Sequence, residues 1–576
     1  MPESSKDNAT AYRLAFIRLV FFGFLIVIVW RLFQLQIVSY GWYSALASGQ
    51  HDIFSELIPE RGEIYVKDSL AVNRVFPAAV NKPMNFIFAV PREIKNVNEA
   101  VEKLKVFWGD DTEKLKAMLA KPDDPYEPLK HAVDDKQAQE VADLAIEGIH
   151  IVPEVVRFYP DGGILSQILG FVGYVGERKE GQYGIEQQWE KDLAGLQGEL
   201  KSERNAAGGI ISIGQRQLVP AQDGADLVLT LDKNIQYKAC NSLQEAVKKH
   251  GAASGSVVII DPKTGAIKAA CNMPSFDSNN YAKTTNSALF SNPIVSEAYE
   301  PGSIFKPFTM AAALDAGKVK PTTTYVDTGE VAVSGHVIRN SDLKANGVQT
   351  MTNVLEKSLN TGVIFAMRQT GRQVFADYVK RFGFGQNTGV ELPHEKPGNI
   401  NSLKDPNDIY PVTASFGQGI TATPLQLVTA YGALANGGRL MKPYITEEIR
   451  YANGKIEQTK THSVRQVISP QSAAMVSAML VNVVEKGHGK RAGVPGYYVA
   501  GKTGTAQVPL PGGQGYDPKK TIGSFVGFAP IDNPRFVMAV KISEPKDVVF
   551  AESSAAPLFG ELAKFLLEYY QVPPER

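Results

Sequence analysis

Tyr299-Glu-Pro-Gly-Ser-Ile-Phe-Lys-Pro-Phe-Thr309 is the stretch on which the reading of this chain turns. Within it Ser303 and Lys306 stand three residues apart, at the start of an apolar run that continues through Phe308-Thr-Met-Ala-Ala-Ala-Leu314 and stops at Gly317. The pattern predicts a helix, and i,i+3 spacing puts both side chains on one of its faces. A serine hydroxyl is a weak nucleophile until a neighbour takes its proton, and a lysine kept neutral by burial and nearby cations can do so. The helix N-terminus adds partial positive charge where an oxyanion would form, and Pro307 is tolerated in the first turn.

The same spacing recurs in Ser341-Asp-Leu-Lys344 and Ser543-Glu-Pro-Lys546. Neither opens an apolar helix, and both read as solvated loops. Ser358-Leu-Asn360 places a hydroxyl and an amide two apart, able to relay a proton and to bond a substrate amide; Ser278-Asn-Asn280 matches the same pattern. Lys502-Thr-Gly-Thr505 sets a cation and two hydroxyls beside a predicted strand, where Gly504 lets an extended peptide approach closely. Lys263-Thr-Gly265 also matches, but inside a hairpin turn.

What separates motifs from decoys is their order along the chain: serine-lysine, serine-asparagine, lysine-threonine-glycine. With Ser415-Phe-Gly-Gln-Gly-Ile-Thr-Ala-Thr-Pro-Leu-Gln426, Gly501-Lys-Thr-Gly-Thr-Ala-Gln507 and Ser524-Phe-Val-Gly-Phe-Ala-Pro530, that order resembles the class B penicillin-binding proteins, peptidoglycan D,D-transpeptidases. Upstream, Arg61-Gly-Glu-Ile64 and Gly184-Ile-Glu186 resemble the family's non-catalytic pedestal, although Tyr65-Val-Lys-Asp-Ser69 departs from the usual Asp-Arg-x-Gly continuation. The resemblance implies an α+β chain: a single N-terminal transmembrane helix, an α+β pedestal, then a transpeptidase domain whose antiparallel sheet is flanked by helices. It implies Ser303 as nucleophile, Lys306 as base, Ser358 as proton shuttle beside Asn360, and Lys502 with Thr503 binding the terminal carboxylate or tuning Lys306, next to Gly504. The backbone N–H groups of Ser303 and Thr505 would form the oxyanion hole. Implied ligands are stem peptides ending in D-Ala-D-Ala and β-lactams. No metal or cofactor is needed.

Nothing before Ser303 resembles the acidic glycosyltransferase signature of class A relatives, so glycan polymerisation falls to a partner membrane protein of the SEDS type (FtsW/RodA-like) within the division or elongation machinery. Length and the Phe416-Gly-Gln-Gly419 segment resemble the septal type slightly more. Two rival readings remain: a membrane-anchored D,D-carboxypeptidase or β-lactamase, and a non-catalytic β-lactam sensor or division scaffold. Glu356-Lys-Ser-Leu-Asn360 matches the Glu-x-x-Leu-Asn string of class A β-lactamases, but it overlaps the serine-asparagine motif itself, so Glu356 reads as an ordinary helix residue.

The rest of the sequence bounds these readings. The 576 residues carry 60 Lys plus Arg against 60 Asp plus Glu, so no basic field exists to hold a nucleic acid. With 44% hydrophobic residues the chain can bury several cores. Only Cys240 and Cys271 occur; two buried small residues are the first reading, and a disulfide between them stays open. The apolar run from Leu19 to Trp30 is short of the ~20 residues that span a bilayer, but 14–38 admits only Arg18 and Arg31, near its ends. Lys6, Arg13 and Arg18 ahead of it orient the N-terminus to the cytoplasm. The expected division is a cytoplasmic tail 1–13, signal anchor 14–38, pedestal 39–222 and transpeptidase domain 223–576, outside the inner membrane. A cleavage site at Ala45-Leu-Ala47 lies too far beyond Trp30 to suit a removed signal.

Overall fold

The computed structural model describes residues 59–576 except 72–73, 109–110, 177, 203–215 and 511–514, together with Leu25, Ile28 and Trp30. The last three are helical and exposed, and the rest of the expected anchor lies outside the described residues. Among the described residues no helix is long and apolar enough to cross a membrane. Two compact units emerge, 1–60 with 195–224, and 61–194 with 225–576. In the first, Glu199–Ser202 and Arg216–Val219 form an antiparallel hairpin, and Gly224 N–H donates to Glu60 O at 2.8 Å.

The second unit is organised on a five-stranded, wholly antiparallel sheet. Its spatial order is Ile267–Met273, Ser254–Ile260, Phe536–Ser543, Tyr516–Ala529, Ala500–Pro509, which leaves the last as an edge strand. Successive side chains on a strand point to opposite faces, so each central strand feeds two cores. Val257, Ile259, Met538 and Val540 pack under the helices Lys233–Lys249 and Ala555–Tyr569. Val258, Ile260, Val537 and Ala539 face the opposite core with Phe305, Phe308 and Tyr431. That second core contains the helix Lys306–Asp315, buried from Lys306 through Leu314, as suits a helix apolar on every side.

The first of the covering helices is set by its cap, as the sequence predicts: Asp232 Oδ1 accepts from Asn234 N at 2.9 Å and Ile235 N at 3.1 Å. Its Ile235, Ala239 and Leu243 lie on the hairpin strands. Here one expectation is corrected. Cys240 and Cys271 are buried, but they are joined in a disulfide, their Cα atoms 5.3 Å apart. The pairing depends on how the helix seats on the strand Ile267–Met273, a tertiary fact that residue spacing does not carry.

Upstream, the long strand Val75–Ala89 pairs with Ile64–Lys67, Glu127–Val133 and Ile149–Phe158 and carries a small core under the helices Val97–Trp108, Thr112–Leu119 and Asp135–Asp143. Ile64–Lys67 runs parallel to Asp226–Asp232, which pairs in turn with Thr446–Arg450. The departing stretch 65–69 bonds along this seam: Lys67 Nζ meets Glu447 Oε1 at 2.8 Å, and Ser69 N–H donates to Asp232 Oδ2 at 2.8 Å.

The two pedestal strings meet through charge. Arg61 Nη2 is 2.6 Å from Glu186 Oε2 and 2.6 Å from Glu190 Oε2, and Arg157 Nε donates to Glu186 Oε1 at 2.7 Å. Glu186 is fully buried. Desolvation pushes its carboxyl up, but Arg157 and Arg61 outweigh this and hold it below its usual 4.5. Its stabilising contribution is therefore present above the unfolded carboxyl range and lost as pH falls through the lower folded value. Glu186→Gln takes the carboxylate from the buried Arg157 and leaves Arg61 with Glu190 alone, and urea unfolding should show a loss of about 3–5 kcal/mol. A loss within about 0.5 kcal/mol would show that the cluster is solvated.

Candidate active site

Ser303 sits in a 3₁₀ turn, Gly302–Phe305, that runs straight into the helix Lys306–Asp315. The helix thus starts at the lysine, three residues later than the serine, because Gly302 (φ 58°) and Pro301 turn the chain first. Ser303 remains half-buried while Lys306 is wholly enclosed.

Lys306 Nζ donates to the carbonyl of Ser358 at 2.5 Å and to its Oγ at 3.2 Å. The first and second motifs therefore meet directly. Ser358 has φ 58°, a left-handed conformation uncommon for a residue with a side chain, and this turns its carbonyl and hydroxyl toward the same amine. Asn360 opens the helix Asn360–Thr370, and its Nδ2 donates to Arg339 O at 2.8 Å.

The third motif lies on the edge strand Ala500–Pro509. Gly504 is where that strand crosses the nucleophile turn. A Cβ there would fall 2.9 Å from Ile304 Cγ2, 3.0 Å from Pro301 O and 3.1 Å from Ile304 N, so a side chain would force strand and turn apart. Lys502 is fully buried and donates to Thr503 O at 3.0 Å, and Thr505 Oγ1 accepts from Ala551 N at 3.0 Å. The outer edge of this strand pairs with no other strand among the described residues.

Two buried amines, neither with a carboxylate partner among the described residues, dominate the electrostatics. Burial lowers Lys502 to about 7. Burial, reinforced by the charge on Lys502, drives Lys306 well below its usual value. Both effects favour the neutral amine at Lys306.

Further groups that hold the turn were not assigned from sequence. Gly302 N–H donates to Gly417 O at 3.0 Å, and a Cβ on Gly417 (φ 83°) would lie 2.2 Å from Gly302 O. Thr309 Oγ1 donates to Ser415 O at 2.7 Å, Tyr431 OH donates to Ile304 O at 2.8 Å, and Glu300 accepts from Gly419 N and Tyr516 OH, each at 2.9 Å. The signal for the 415–419 loop was its paired glycines; Tyr431 looks in sequence like any core aromatic.

The decoys fall elsewhere. Ser341 and Lys344 are exposed in a turn, and Lys263 occupies a hairpin loop with its Nζ on Asn533 Oδ1 at 2.5 Å. Ser278 is buried, its Oγ donating to Gly170 O at 2.7 Å. Ser543 corrects the expectation of a solvated loop: it closes the strand Phe536–Ser543, buried between its partners Ser254 and Ile522, and the loop begins only at Glu544. Glu356 ends the short helix Met351–Glu356. Among the described residues no cluster of His, Cys, Asp and Glu is arranged to hold a metal ion.

Comparison with known proteins agrees with this geometry. Residues 255–564 match the penicillin-binding protein transpeptidase domain, and 56–229 the penicillin-binding protein dimerisation domain. Stage V sporulation protein D of Bacillus subtilis is 32% identical over 98% of this chain and 86% of its own length. A probable peptidoglycan D,D-transpeptidase, PbpC of Pseudomonas aeruginosa, is 33% identical over 87% of this chain and 86% of its own. Penicillin binding protein 3 of Mycobacterium tuberculosis, solved with aztreonam, superposes with a TM-score of 0.70 at 26% identity, covering 90% of this chain and 98% of that one. On domain content and on identity across nearly its full length, the chain belongs to the class B penicillin-binding proteins.

Proposed function

We propose that the protein is a serine-type peptidoglycan D,D-transpeptidase working through an acyl-enzyme on Ser303. The observation that carries this is the enclosed Lys306 amine, bonded to Ser358 and with no carboxylate partner among the described residues, on the helix that the half-exposed serine introduces. Ser303 Oγ adds to the carbonyl of the penultimate D-alanine of a stem peptide while Lys306 takes its proton. The oxyanion develops against the backbone N–H groups of Ser303 and Thr505. The C–N bond breaks, Ser358 Oγ relays the proton from Lys306 to the departing D-alanine, and Asn360 steadies the peptide. The ester then passes to an amine of a neighbouring stem peptide, restoring Ser303 and closing the crosslink.

The terminal carboxylate of the donor is held by Lys502 and Thr503. With Lys502 lowered to about 7, its charge is lost as pH rises through that value, and the affinity of the pre-acylation complex should fall by up to about tenfold per unit above pH 7. Lys502→Arg keeps the charge. Stopped-flow acylation should then show the alkaline loss of affinity in the native protein and not in the variant; an unchanged alkaline limb in Lys502→Arg would assign it elsewhere.

The same reading places residues 14–38 in the membrane, the pedestal at 39–222 and the transpeptidase domain at 223–576 outside the cytoplasm. The Cys240–Cys271 disulfide supports an oxidising compartment. A reporter fused after Arg576 should be active only outside the cytoplasm; activity inside would overturn the topology. Glycan strands come from a SEDS-type polymerase, and the direct test is crosslinking: protein, lipid-linked glycan precursor and candidate polymerases should yield dimeric stem peptides that vanish with penicillin. Release of D-alanine without dimers would make the enzyme a carboxypeptidase.

A further inference from the structure

Asp327 lies outside the three motifs and is buried, and the polar groups around it converge on the second motif. It ends the strand Thr324–Asp327, which pairs with Gly347–Thr350. Its carboxylate accepts from Gly329 N at 3.0 Å, from Asn340 Nδ2 at 3.0 Å to both oxygens, and from Asn346 N at 3.0 Å and Nδ2 at 2.9 Å. One further donor is Thr361 Oγ1 at 2.8 Å, in the first turn of the helix that Asn360 opens. Asn340 Oδ1 in turn accepts from Thr361 N at 3.2 Å, and Tyr325 OH is 3.0 Å from Thr361 Oγ1. Desolvation works against this carboxylate, but the donors from Gly329, Thr361, Asn346 and Asn340 outweigh it and hold its pKa below the usual range, so it stays charged.

Two residues before Asn360, Ser358 holds its uncommon φ of 58°. Such a conformation persists only where the surroundings fix it. Lys306 grips the Ser358 carbonyl from one side. From the other, the helix start at 360–361 is pinned by Asp327, Asn340 and Arg339, whose carbonyl takes the Asn360 amide. A fold role alone would be met by the bonds to Gly329, Asn340 and Asn346, which close the 327–347 loop on itself; the bond to Thr361 leaves that loop and reaches the motif.

We propose that Asp327 is a positioning residue for catalysis, holding Ser358 and Asn360 in register with Lys306 through Thr361 and Asn340. The proposal rests on the transpeptidase reading above. Small misplacement of a catalytic group costs on the order of 10²-fold in rate. Because the carboxylate end of the substrate is held by Lys502 and Thr503, which this network does not include, the loss should fall mainly on the bond-forming step. The experiment is stopped-flow acylation of the full-length, detergent-solubilised protein by a fluorescent penicillin, comparing native protein, Asp327→Asn, Thr361→Val and, as control, Glu330→Gln on the neighbouring pair of strands, Glu330–Val333 with His336–Arg339. The limiting acylation rate should fall about 10–100-fold in Asp327→Asn and about 3–10-fold in Thr361→Val, with the dissociation constant of the pre-acylation complex within about twofold of native and Glu330→Gln unchanged. If Asp327→Asn does not fold, Thr361→Val decides. Native limiting rates in the folded variants, or a loss confined to the dissociation constant, would overturn the positioning role while leaving the transpeptidase reading intact. A native protein that is never acylated would overturn both.

Discussion

Replacing Ser303 by alanine is expected to abolish penicillin acylation, a fall of at least ~10⁴-fold, with the thermal midpoint within a few degrees of the native protein. The side chain is small and half-buried, and the turn that carries it is held by backbone and neighbour contacts that alanine retains: Gly302 N–H to Gly417 O, and Tyr431 OH to Ile304 O. Ser341→Ala and Lys263→Ala, in an exposed turn and a hairpin loop, should acylate at native rates. Loss of acylation in those two with retention in Ser303→Ala would reverse the assignment.

The second large effect is expected at Lys306. A guanidinium cannot be deprotonated in the working range, so Lys306→Arg removes the proton acceptor and should lower acylation by about 10²–10⁴-fold. It also forces a permanent charge into a buried site beside Lys502, and should lower stability as well. Lys306→Met separates the two effects, since it fills the enclosed site without charge: it should lose less stability than Lys306→Arg, only the bond to the Ser358 carbonyl being given up, and still fail to acylate. A native acylation rate in Lys306→Met would show that the proton goes to another group.

Local chemistry was legible in the sequence. Serine and lysine three apart ahead of an apolar run fix a shared face, Asp232 before Asn234 and Ile235 announces a cap, and the strands flanking Lys263-Thr-Gly265 announce a hairpin. What was not legible depends on segments distant in sequence coming together. The strand Ser254–Ile260 pairs with Phe536–Ser543, and nothing in either string names the other. The disulfide depends on the seating of a helix on a strand. The tie between the first two motifs runs through the Ser358 carbonyl, and only its left-handed backbone aims that group at Lys306. Asp327 and Tyr431 carry no spacing signal, because their partners lie on other elements.

These contacts describe a serine that should be acylated rapidly and released slowly. A peptide donor loses D-alanine after cleavage and admits an amine, whereas an opened lactam stays tethered in the groove. Water attacking that ester needs its own positioned base, and Glu356, the one residue matching a deacylating string, ends the helix that leads into Ser358 and belongs to no separate loop. The direct measurement is mass spectrometry of the full-length, detergent-solubilised protein after brief exposure to penicillin, followed by peptide mapping over time. A stoichiometric adduct on the peptide containing Ser303, persisting far longer than it takes to form, is the predicted result; rapid return of free enzyme with steady penicillin hydrolysis would contradict the account and make the protein a β-lactamase.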